Sequence, residues 1–139
     1  WNEVRSQMTE EEIQRVHFLG NLPYEHFIPL LQLSSVHVYL TYPFVLSWSL
    51  LEAMSAACAI VASDTAPVRE AIQDGVTGCL VDFFDVPALA HRVCDLLANP
   101  AERESLGRQA REFAIAHYDA RQRCIPGQLQ WVSDLAQMN

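Results

Sequence analysis

Strand-like and helix-like segments alternate along this chain. They predict an α/β fold: a parallel sheet with helices on both faces. Three observations carry that reading. The strand candidates at 36–40 and 59–63 are almost continuously apolar, as strands buried on both faces must be. Helical stretches separate successive strands, so the strands run parallel through crossover connections. No internal repeat or low-complexity stretch interrupts the alternation. With right-handed crossovers, such a sheet is Rossmann-like.

Each element has its own signal. Thr9-Glu-Glu-Glu12 is a capping-box pattern that opens a helical turn. Residues 15–20 form a short strand ending in Gly20. Residues 24–33 read as a helix, bent or started late by Pro29. Residues 36–40 are a strand, 49–57 a helix and 59–63 a buried strand. Pro67 opens a helix that runs through Ile72. Residues 74–78 are a turn, with Gly75 and Gly78 where a positive φ is expected. Residues 79–82 are a fourth strand. Two amphipathic helices follow, 87–98 and 100–117, with Asn99, Pro100 and Glu102 supplying cap, first-turn proline and capping glutamate between them. Pro126-Gly127 breaks a last helical stretch, which resumes at 128–135.

Composition narrows the function. A chain of 139 residues, 50% of them hydrophobic, makes one domain with a real core. No apolar run approaches the ~18 residues of a membrane span. The formal net charge is −8, and every positive side chain is Arg. An acidic domain repels nucleic acid, whose binding needs clustered basic residues. Without Lys there is no Schiff-base chemistry and no P-loop phosphate lysine. Cys58, Cys79, Cys94 and Cys124 form no Cys-x-x-Cys pair, which argues against a zinc ribbon and for reduced thiols packed as small hydrophobes. None of the five His residues has metal-ligand spacing; His17 and His37 alternate with apolar neighbours and are expected on a sheet surface. No basic-then-apolar leader is read in these residues, and Trp1 in place of an initiator Met reads as an excised fragment or a processed chain. A cytoplasmic location is expected.

Tyr42-Pro-Phe-Val-Leu-Ser-Trp-Ser-Leu-Leu-Glu-Ala-Met54 carries most of the functional information. It reads as a strand end, a tight loop and a helix start. Open α/β sheets bind phosphorylated ligands at such places, where helix N–H groups and dipole favour an anion. Main-chain groups at Val45, Leu46 and Ser47 can serve a phosphate whatever their side chains, and the Ser47 hydroxyl adds a donor. Glu52 has two readings, a ligand contact or the closing residue of a capping box begun at Ser49. Asp64 and Thr65 read as the lead-in to the helix at Pro67, Glu70 as a solvated or capping residue, and Trp48 as core or pocket wall, with core favoured.

Several stretches, in order, resemble the C-terminal half of a group 1 retaining glycosyltransferase of the GT-B fold. They are Val16-His-Phe-Leu-Gly20 with Pro23, Val36-His-Val-Tyr-Leu40, Leu50-Leu-Glu-Ala-Met-Ser55 with Ile60-Val-Ala-Ser63, Val68-Arg-Glu70, and Asp74-Gly-Val-Thr-Gly-Cys-Leu-Val81. The likeness covers residues 13–118 and leaves 119–139 as a C-terminal helical tail, so residues 1–139 make one partial Rossmann-like domain. It implies a donor site for a UDP-, GDP- or ADP-linked sugar, transfer with retained configuration to an unknown acceptor, and no metal or other cofactor.

In that family two glutamates flank the loop, the first touching the donor sugar and the second the nucleotide ribose. Glu52 matches the second; the first falls on Phe44, which cannot accept a sugar hydroxyl. Gly20 and Leu22 match the segment that lines the base. The family's Arg/Lys pair and its N-terminal acceptor domain are not in this sequence, so the chain alone is expected to be inactive and no catalytic residue is assigned. A homodimer through an uncovered sheet edge is expected, and peripheral attachment of the parent to the inner membrane face if its acceptor is a lipid. The alternatives are a degenerate Rossmann-like binding module and a fragment of a GT-B sugar-nucleotide epimerase.

Overall fold

The computed structural model describes residues 2–42 and 45–137. Two short helices, α1 (Asn2–Ser6) and α2 (Glu10–Arg15), lead in without burying a residue. The capping box at Thr9 forms as read: its Oγ1 accepts from the Glu12 N–H at 3.3 Å, and its own N–H donates to Glu12 at 2.8 Å. Residues 15–20 do not form the expected strand: Arg15 ends α2 and 16–20 are loop. Among the described residues no strand lies beside them, and an extended segment becomes a strand only when a neighbour completes its ladder. His17 therefore lies in an exposed loop rather than on a sheet surface.

α3 (Tyr24–Leu33) carries Pro29 within it and is neither delayed nor ended by it. Then come β1 (His37–Tyr39), α4 (Trp48–Ser55), β2 (Ile60–Ser63), the short α5 (Ala66–Arg69) and β3 (Cys79–Val81). The three strands are parallel in the order β1-β2-β3. α5 stops short of the expected Ile72. In the turn after it, Gly75 has φ +71, whereas Gly78 has no positive φ and sits in a tight space, where a Cβ would come 3.1 Å from the Ile60 carbonyl oxygen. α6 (Val86–Ala98) and α7 (Pro100–Tyr118) follow around Asn99, whose side chain accepts from the Glu102 N–H. A π-helical turn at Ala120–Cys124 leads into α8 (Ile125–Gln137). The break expected at Pro126-Gly127 is absent. Pro126 falls in the first turn of α8, where a missing N–H costs little.

The core lies on both sides of β2. Ile60 and Ala62 face one layer, with Leu50, Ala53 and Met54 of α4, Val68, and Ala110 and Ala114 of α7. Val61 faces the other, with Cys79 and Val81 of β3, Leu96 of α6 and Leu106 of α7. This alternation follows from the two-residue period of a strand, and covering both faces explains why β2 is wholly apolar up to Ser63. Arg92 pairs with Glu102 at 2.6 Å across the α6–α7 turn, and Arg103 donates to the carbonyls of Leu96 and Leu97, capping α6. All four cysteines are free thiols. No helix among the described residues is long and apolar enough to cross a membrane.

Candidate functional site

The carboxyl ends of the strands converge on the start of α4. The loop after β1 is held from two sides. The Ser63 hydroxyl at the end of β2 donates to the Thr41 carbonyl at 2.9 Å and accepts from the Thr41 N–H at 3.0 Å. The Tyr39 hydroxyl accepts from the Ser47 N–H at 3.0 Å. Across the end of β2, Tyr42 stacks on Phe83 with centroids 5.4 Å apart, and its ring meets Phe84 edge-on at 5.2 Å. These rings join the loop after β1 to the loop after β3.

Ser47, not Ser49, is the N-cap of α4: its hydroxyl accepts from the Ser49 N–H at 3.3 Å. Glu52 therefore does not close a capping box begun at Ser49. It sits just over one turn into α4, on the wall of a cavity of about 440 Å³ between α3, α4 and α7. Leu51, Ser55 and Ala56 line the same wall, at the spacing of one helical face. Trp48 belongs there too and is 81% exposed, which corrects the expectation that it is core. Arg111 of α7 donates to the Ser55 carbonyl and ties α7 to the end of α4.

Tyr24, the first residue of α3, faces Glu52 in this cavity. The Glu52 carboxylate raises the Tyr24 pKa above its ordinary value, mainly by hydrogen bonding, with desolvation and charge repulsion adding to it. The phenol is thus kept protonated beside an acceptor.

The other expected site residues are spread out. Ser47 caps α4 with its hydroxyl and commits its N–H to Tyr39. Leu46 packs against the core, and Val45 is exposed. Phe44 lies outside the described residues. Gly20, with φ +63, and Leu22 line a separate hollow on the opposite side of α3, with Phe27 and Leu30. The structure does not bring these two residues into the cavity of Glu52. Asp64 pairs with Arg69 through both carboxylate oxygens, and Arg69 is the larger cause holding the Asp64 pKa below its usual range. Thr65 is the N-cap of α5 without a side-chain cap bond, and its buried hydroxyl has no protein partner. Glu70 is exposed. Among the described residues no group of three His, Cys, Asp or Glu side chains is placed to hold a metal.

Sequence reasoning missed Tyr24 and Tyr39. Each carried a faint local signal, Tyr24 behind Pro23 at a helix start and Tyr39 as the inward residue of a strand, but their partners lie in other elements.

Residues 2–113 match the family model described as glycosyl transferases group 1. Over 74 residues the chain is 39% identical to an alpha-maltose-1-phosphate synthase of Mycobacterium tuberculosis, a match covering 49% of this chain and 19% of that protein. In structure it resembles the Anabaena protein HepE, solved in complex with UDP-glucose, with a TM-score of 0.81 at 21% identity over 98% of this chain and 36% of that one. It also resembles the C-terminal domain of a group 1 family protein (LpcC) from Francisella tularensis, with a TM-score of 0.71 at 18% identity over 86% of this chain and 64% of that one. The chain thus spans about a fifth of its curated relative and about a third of the Anabaena protein.

Proposed function

This chain belongs to the group 1 glycosyl transferases, and we propose that it is the half that holds a nucleotide-sugar donor. The observation that carries the reading is Glu52: a carboxylate on a cavity wall, one turn from a helix N-terminus, at the carboxyl side of a parallel sheet. A carboxylate accepts hydroxyl protons and donates none, so it suits a ribose diol and repels phosphate. The helix start nearby suits the diphosphate. The UDP-glucose carried by the Anabaena protein supports a nucleotide sugar as the ligand.

In the whole protein the sugar passes from this donor to an acceptor held by another domain, with retained configuration and without a metal. The diphosphate leaves with negative charge, and this domain offers no lysine to stabilise it. The isolated chain is therefore expected to bind and not to transfer.

The test is titration of the intact protein with UDP, GDP and ADP, beside Glu52→Gln. Selective binding of one nucleotide, weakened in the variant without a matching drop in melting temperature, supports the reading. Equal affinity in the two proteins overturns it.

A further inference from the structure

Tyr24, Ile28 and Gln32 follow one another at the spacing that puts them on a single face of α3, and that face lines the cavity opposite Glu52. Tyr24 is 64% exposed, so it is not placed there to complete the core. It shares the cavity wall with Glu52; its hydroxyl has one proton to give, and a carboxylate is an acceptor only. A carboxylate on an unrestrained side chain loses rotamer freedom whenever it orders on a ligand. One held in advance by a phenol has already met that cost, and its second oxygen remains open.

We propose that Tyr24 is a positioning residue for nucleotide recognition, holding the Glu52 carboxylate so that it accepts from the adjacent ribose hydroxyls of the donor. This rests on the reading of Glu52 given above and deepens it. The phenol and the carboxylate line one cavity from two helices, so a proton given to one carboxylate oxygen leaves the other for a ligand hydroxyl. The pair spans α3 and α4, so the cavity reads ribose against deoxyribose through two elements rather than one.

The test compares affinities of the intact protein for UDP and 2′-deoxy-UDP, and for GDP and 2′-deoxy-GDP. The proteins are the parent, Tyr24→Phe, Glu52→Gln and the double variant. The parent is expected to prefer the ribonucleotide, and Glu52→Gln to lose that preference. Tyr24→Phe should shrink the preference by up to about tenfold, the scale of one hydrogen bond to a charged group, with no change in melting temperature. The double variant should match Glu52→Gln, because the phenol acts only through the carboxylate. Full ribose preference in Tyr24→Phe, or losses that add in the double variant, overturns the positioning role and leaves Glu52 standing. Unchanged preference in Glu52→Gln overturns the ribose reading itself, and the Tyr24 role with it.

Discussion

The hydroxyl of Ser63 answers both backbone groups of Thr41, giving its proton to the carbonyl and taking one from the N–H. The β1–β2 ladder pairs residues only as far as Tyr39, so this side chain extends the sheet by one more rung. Ser63 is fully buried. Ser63→Ala leaves a peptide N–H and carbonyl without their partner, at a cost of about 1–3 kcal/mol. Urea unfolding should show that loss, and the loop before α4 should gain protease sensitivity.

Ala57 and Gly107 meet where α4 turns into β2. Ala57 has φ +63, and the bonds around it (Cys58 N–H to Ala53, Ala57 N–H to Met54) form a Schellman ending with alanine where glycine fits best. Ala57→Gly should therefore stabilise the protein by about 1 kcal/mol. Gly107→Ala should do the opposite. A Cβ there would fall 2.2 Å from the Ala57 carbonyl oxygen, a backbone atom that cannot swing aside. A loss of about 3 kcal/mol or more is expected, read by thermal and urea denaturation.

Burial holds the His37 pKa below its ordinary 6.5. The folded state thus binds a proton there less readily than the unfolded chain does. Stability contributed by neutral His37 is complete above pH 6.5 and is lost as pH falls from 6.5 toward the depressed value. His37→Gln should flatten that part of the stability profile, measured as urea midpoints between pH 5 and 8.

The thiols should separate by reactivity. Cys58 and Cys79 are buried, and burial is the main cause raising both pKa values, so neither is nucleophilic at neutral pH. Cys94 is exposed, and Cys124 is partly so. An aromatic disulfide reagent should label Cys94 first, then Cys124, and reach Cys58 and Cys79 only after unfolding. Early labelling of Cys79 would contradict the packing of β3 against α6.

The sheet was legible because its strands are covered on both faces, which leaves a continuous apolar run such as Ile60-Val-Ala62 in the sequence. The α6–α7 turn was legible because its caps are local chemistry around Asn99. Residues 15–20 were misread because apolar alternation describes a strand's faces and says nothing about its edge partners. The cap of α4 was misread by two residues: Ser47 and Ser49 offer the same hydroxyl, and it is the Ser47 hydroxyl that accepts from the helix, at the Ser49 N–H. Glu52 stood out through the family resemblance, its local pattern reading as a cap. Its neighbour Tyr24 did not, since their meeting depends on how α3 lies against α4.

β2 is a partition wall as well as a strand. Ile60 and Ala62 belong to one compartment and Val61 to the other, and no side chain reaches across a peptide plane to share its volume. A larger or smaller residue at 61 can be accommodated by α6, through Leu89, Val93 or Leu96, and not by α4. One at 60 or 62 is matched within its own cluster, from α4, from Val68, Ala71 or Ile72, or from Ala110 and Ala114 of α7. Substitutions accumulating in such a domain would therefore compensate one another within two separate sets, with alternate residues of the same strand drifting independently.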